Sequence, residues 1–145
     1  AMHVFHDNLV AHEKQIAAMD NAYNFRGVCW ERLSTPELRS EYLQNATFVR
    51  PEDLHLYEQW FSVAKLATRV NRDPVRVLDA YIAGSFRGSL PSLMEPNYEG
   101  VFPSDFLENS LIPEEYGRHV MECSRRCEEC DYCRRVFEGA LKRLV

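Results

Sequence analysis

Two hydrophobic periods alternate through the middle of the chain. Residues 46–50, ATFVR, are short and β-rich. Behind Pro51-Glu52-Asp53, the residues Leu54, Tyr57, Trp60 and Phe61 fall at helical spacing, which predicts a helix with those four on its buried face. Residues 62–68, SVAKLAT, are apolar and β-branched with no breaker, and predict a second strand. Asp73 then stands at an N-cap with Pro74 at the first helical position. Val77, Leu78, Tyr81, Ile82 and Phe86 share one face of the helix that follows, which should end between Gly84 and Gly88. The order strand, helix, strand, helix implies two neighbouring parallel strands joined by a crossover helix. That is a partial, barrel-like βαβα segment, far short of the eight strands that close a barrel.

The flanks are less periodic. Residues 3–20 become helix-like after an irregular start, residues 21–28 have turn composition, and residues 29–33 predict a short strand. Thr35 and Pro36 open a short helix to about Gln44. Residues 89–112 carry Pro91, Pro96, Gly100 and Pro103 and read as an extended arm with at most one helical turn at 104–109. Pro113-Glu114-Glu115 opens a helix through about His119. In the tail, Val136, Phe137, Ala140, Leu141 and Leu144 predict an amphipathic helix over 134–145. The expected fold is therefore α+β and mostly helical, with a small parallel sheet. A body over residues 1–110 precedes a Cys-rich loop and C-terminal helix over 111–145.

The chemistry concentrates between those last two helices. Cys123, Cys127, Cys130 and Cys133 lie within eleven residues, and the remaining cysteine is Cys29. The spacing Cys127-x2-Cys130-x2-Cys133 lets one loop turn three sulfurs toward a single point, as in clusters of the [4Fe–4S] type. Cys123 is the nearest fourth ligand, and Cys29 is the distant alternative. Structural zinc is the competing occupant, although zinc sites usually draw two cysteine pairs from separate directions. Disulfides fit poorly with an odd cysteine count and no visible signal peptide. Cys123-x3-Cys127-x2-Cys130 also matches the spacing of a radical-SAM signature, but Glu129 precedes Cys130 and no barrel follows.

Charge and composition narrow the partners. The chain has 145 residues, a net charge of −5 and 46% hydrophobic residues, ordinary for one soluble domain. That balance gives no support for nucleic-acid binding by the whole surface, though Arg125, Arg126, Arg134, Arg135, Lys142 and Arg143 gather near the cysteines. No apolar run approaches the length needed to span a bilayer, so a cytoplasmic protein is expected. His3, His6 and His12 form a weak second cluster, and His119 precedes Cys123 by one helical turn. Arg50, Lys65 and Arg69 sit at the ends of the predicted strands, where α/β proteins bind ligands, and are candidates for holding an anionic substrate. The bland alternative is an ion pair from Arg50 to Glu52 or Asp53.

The stretch Phe48-Val49-Arg50-Pro51-Glu52-Asp53-Leu54-His55-Leu56-Tyr57-Glu58, with Lys65-Leu66-Ala67-Thr68-Arg69 and Ala80-Tyr81, resembles the last part of the peptidase-U32-like proteins. Ala67-Thr68 stands where that pattern has a residue followed by glycine. The resemblance covers roughly residues 29–90, with the terminal cysteines a looser echo. It implies elements from the end of a barrel-like domain and iron–sulfur binding through scattered cysteines. It also implies either oxygen-independent hydroxylation chemistry or peptidase activity. This chain is too short for the family's whole barrel.

Two function classes follow. One is a [4Fe–4S]-bearing subunit or fragment of a larger oxidoreductase or modification enzyme, working with a partner chain or as a homo-oligomer. The other is a zinc-stabilised interaction module without chemistry of its own. A hydrolase has no motif support, with neither a Gly-x-Ser-x-Gly elbow nor a His-Glu-x-x-His pair present.

Overall fold

A computed structural model describes residues 10, 13, 28–45, 48–69, 71–94, 100, 102 and 104–144. Its contacts divide the chain into two compact units, Ala1–Arg39 and Ser40–Val145. The expected boundary at residue 110 falls inside the second unit.

In the first unit, α1 spans Val28–Ser34 and a 3-10 turn spans Pro36–Leu38. The strand expected over 29–33 is thus a helix. The segment has Glu31 and Arg32 at its centre and no β-branched run to hold it extended. The histidines His3, His6 and His12 lie outside the described residues.

The second unit opens with α2, Glu41–Asn45, which buries Tyr42 and Leu43. Pro51–Tyr57 then forms a 3-10 helix where an ordinary helix was expected, with the Asp53 N–H donating back to the Arg50 carbonyl at 3.0 Å. Helix α3, Pro74–Ala83, forms as its caps predict. Asp73 Oδ1 accepts from the Arg76 N–H at 3.0 Å, and Gly84 leaves the helix at φ +64°. Val77 and Ala80 join Leu93 in a small core, onto which Phe48, Leu66, Tyr81 and Phe86 pack. Trp60, Phe61, Leu78 and Ile82, expected on buried faces, are exposed.

The parallel sheet is not formed. The described residues of both predicted strands, 48–50 and 62–68, have no strand pairing. Instead β1, Asp105–Leu107, pairs antiparallel with β2, Leu141–Arg143, placing Phe106 opposite Lys142. The chain is therefore mixed, helix-rich, with a two-stranded antiparallel sheet. The presumed arm over 89–112 supplies core. Leu90, Leu93, Met94, Phe102 and Leu107 are buried, and Leu90–Leu93 is a 3-10 turn. The tail helix is α5, Tyr132–Ala140, which packs on α2; it starts earlier than expected and stops where Leu141 turns into β2.

Glu108 joins these pieces. Its Oε1 accepts from the Gly88 N–H at 2.9 Å, the Ser110 N–H at 3.1 Å and the Ser110 hydroxyl at 2.8 Å. Burial works to raise this carboxyl's pKa, but the three donors and nearby Lys142 outweigh it and lower it. The folded state thus prefers the carboxylate more than the unfolded chain does. That stability is complete above the ordinary carboxylate range, about pH 4, and drains away as pH falls through the lowered folded value. Urea midpoints followed from about pH 6 to pH 3 should fall less steeply for Glu108→Gln than for the native chain. Equal slopes would remove Glu108 from the acid response.

Candidate metal-thiolate site

The site hangs on a buried ion pair. Arg50 is 2% exposed and grips Asp53 with both arms, Nε to Oδ2 at 2.6 Å and Nη2 to Oδ1 at 2.8 Å. Its remaining donors reach the carbonyls of Ile112 at 3.3 Å and Pro113 at 3.2 Å. Its guanidinium carbon sits 5.3 Å from the centre of the Tyr116 ring. These contacts fix the start of α4, Tyr116–Met121. Gly117 must be small there, because an added Cβ would lie 2.5 Å from the Asp53 carboxyl.

Helix α4 leads directly into the cysteine loop, and α5 leads out of it. An aromatic stack ties the two flanks together. Tyr132, at the head of α5, stacks on His119 at 3.7 Å and on Tyr116 at 6.3 Å between ring centres. Burial, then the charges of Glu115 and Cys133, push the Tyr132 hydroxyl's pKa up. The neighbouring residue is Cys133.

All four loop thiols are free. Cys123 and Cys133 are half-buried, while Cys127 and Cys130 are exposed. The Arg125 N–H points at Cys123 Sγ at 3.4 Å, and Arg125 holds a left-handed backbone at φ +62°. A non-glycine residue costs about 1–3 kcal/mol in that region, so the surrounding loop must impose the shape. Burial, then the thiolates of Cys123, Cys127 and Cys130, raise the Cys133 pKa, and Arg125 opposes them. All three other sulfurs thus lie within electrostatic reach of Cys133. Among the described residues, however, no group of three or more His, Cys, Asp or Glu side chains is set to hold one metal ion. Four thiols are the donor chemistry that a thiolate-bound ion or cluster uses, but the described side chains are not set in ligating geometry.

The other candidates are dispersed. Cys29 is on α1 of the first unit, and its side chain lies outside what the structure describes. Arg50 is committed to Asp53 and two carbonyls. Lys65 is exposed and lines an apolar groove of about 410 Å³, and Arg69 is exposed elsewhere on the chain. Among the described residues no contact joins the three. Two of the flanking arginines have acidic partners, Arg126 with Glu129 and Arg135 with Asp131, each at 3.1 Å and well exposed. A cleft of about 480 Å³ beside α4, lined by His55, Gln59, Trp60, Arg118, Met121 and Glu122, ends one residue before Cys123. Sequence reasoning missed Tyr116, Gly117 and Tyr132. Their only local signal was a tyrosine at the first position of each flanking helix.

No protein-family profile matches the chain, and no solved structure matches it. The chain is 26% identical over 149 aligned positions to an uncharacterized protease of Methanocaldococcus jannaschii, covering 97% of this chain and 42% of that protein. This supports a weak peptidase-U32-like resemblance. The chain spans less than half the length of that relative.

Two measurements test this geometry. Gly117→Ala should destabilise the second unit by about 1–3 kcal/mol, since the doubly held Asp53 carboxyl has no room to yield; an unchanged melting temperature would show that the contact relaxes freely. In reduced, metal-free protein, alkylation mapped by mass spectrometry should modify Cys127 and Cys130 first and Cys133 last. Half-burial shields Cys133, and its raised pKa leaves it little thiolate at neutral pH. Fastest labelling at Cys133 would contradict the arrangement.

Proposed function

We propose that this chain is a metal–thiolate module, binding a [4Fe–4S] cluster, and that it belongs to a larger U32-like oxidoreductase or modification enzyme in which it acts with a partner chain. The observation that carries the reading is the placement of four free thiols within eleven residues, three on the loop that follows α4 and Cys133 in the first turn of α5. The N–H donated to Cys123 Sγ and the strained backbone at Arg125 support it, because loops that hold thiolates gain from such donors. The weak similarity to part of a protein more than twice as long supports the reading of this chain as one part of a larger enzyme.

Cys127, Cys130 and Cys133 hold three corners in this scheme and Cys123 the fourth, leaving Cys29 a spare thiol. A bound cluster would supply one-electron transfer. The chain's own contribution is to present the sulfurs on a loop anchored at both ends. Arg125 offsets thiolate charge.

Zinc is the second reading, favoured by the same exposed tetrad, which can surround a tetrahedral ion from one loop. Anaerobic purification separates the two. The cluster reading predicts a brown protein absorbing near 400 nm with about four irons and four sulfides per chain. Single Cys→Ser changes at 123, 127, 130 and 133 should each abolish iron binding, and Cys29→Ser should leave it intact. A colourless protein with one zinc per chain would replace the cluster by the interaction module. Loss of iron in Cys29→Ser with retention in Cys123→Ser would reassign the fourth ligand.

A further inference from the structure

The second unit carries a surface that its own residues leave uncovered. Residues 61–68 have the composition of a strand, yet among the described residues no hydrogen bond reaches the backbone of 62–67. From residue 65 onward burial alternates: Leu66 and Thr68 are half-buried while Lys65 and Ala67 are exposed. That two-residue period is the signature of an extended segment with one face resting on a core, and Leu66 does rest on the core of Val77, Ala80 and Leu93. Phe61 is 65% exposed and Val63 83%.

Helix α3 continues this surface. Val77, Ala80 and Tyr81 form its inward face. Val75, Leu78 and Ile82, three and then four residues apart, form a second apolar stripe that is 62%, 47% and 83% exposed. Tyr81, the neighbour of Ile82 on α3, also lines the groove walled by Phe61, Val63 and Lys65. Together the five exposed side chains offer on the order of 400 Å² of apolar area. That matches the largest patch a typical monomer leaves bare, and is about half of what one side of a standard dimer interface requires.

We propose that this surface is the interface of a two-fold homodimer, in which residues 61–67 of two copies pair as antiparallel edge strands while the α3 stripes cover the groove. The proposal rests on the partner half of the function proposed above and names that partner as a second copy. A strand edge is self-complementary under a two-fold axis, which the isologous contact requires. The charge pattern permits self-pairing. With the axis through Ala64, Lys65 faces Val63 of the other copy, Ser62 faces Leu66, and the two lysines stay apart. A register centred on Lys65 would oppose like charges directly and is disfavoured. The Lys65 stem can lie along Val63 with its ammonium in water.

The test is sedimentation of the full chain under reductant, across concentrations to about 1 mM. A reversible monomer–dimer equilibrium is expected. Val63→Lys and Ala64→Pro should each weaken it by about tenfold or more, the first by adding charge to the face and the second by removing the central backbone donor. Leu111→Lys, an equally drastic change at another exposed apolar site, should leave it unaltered. Circular dichroism and melting curves confirm that each variant folds; Val63 is exposed enough that lysine costs the monomer little. A chain that stays monomeric, a dimer that disappears in reductant, or a dimer indifferent to Val63→Lys and Ala64→Pro overturns the proposal. The readout is independent of metal content, so loss of the dimer leaves the thiolate reading standing, and loss of iron binding leaves the dimer standing.

Discussion

The buried pair between Arg50 and Asp53 is the constraint on which the second unit depends. Its two charges are out of water, and each is costly there without the other; breaking such a pair by removing one partner typically costs about 3–5 kcal/mol. Burying it is tolerable because almost every donor of Arg50 is used. Two bonds go to the carboxylate and two to backbone carbonyls sixty-odd residues on. Arg50 thereby ties the start of the 3-10 helix to the start of α4. Through the Tyr116 ring and its stack on Tyr132 it also reaches the head of α5. The cysteine loop is held at both ends by a network whose anchor is far from it in sequence.

That geometry explains what was legible in the chain and what was not. Helix α3 was legible because its signals are local: an Asp73 side chain, a Pro74 ring and a Gly84 backbone each act within one turn. The parallel sheet was misread because a strand is stabilised only by its neighbour. The residues at 46–50 and 62–68 have β-type side chains, but the described backbone there joins no strand pair. The segment at 89–112 was misread in the opposite sense. Prolines suggested a solvated arm, whereas Pro91 sits in a buried 3-10 turn where a missing N–H costs nothing. Leu141 and Leu144 continued a helical period on paper, but the antiparallel register with β1 captures Leu141–Arg143 first.

For the site, spacing made the four thiols visible, since all lie within eleven residues. The supporting residues were invisible for the same reason that they are effective. Tyr116, Gly117 and Tyr132 matter because of Arg50 and Asp53, and no local pattern links residue 53 to residue 117. Arg50 attracted attention as a candidate for binding an anion. Its anion proves to be Asp53, three residues away, with geometry that leaves it no role facing solvent.

The electrostatics of the loop bear on why its sulfurs are neighbours without being ligands in position. Burial, and after it each neighbouring thiolate, makes the Cys133 proton harder to remove. Drawing four negative sulfurs to ligating distance without a cation would multiply that repulsion in a partly desolvated corner. A bound cation reverses the sign of every one of those interactions, and the thiols lose their protons to it. On the proposed reading, the loop must bring its four thiols together around the ion it binds. Its rigid flanks limit how far the loop must travel, because α4 and α5 are already fixed by Arg50, Tyr116 and Tyr132. The folding energy spent on a buried ion pair far upstream would then reappear as pre-organisation of the loop, lowering the entropy that metal binding has to overcome.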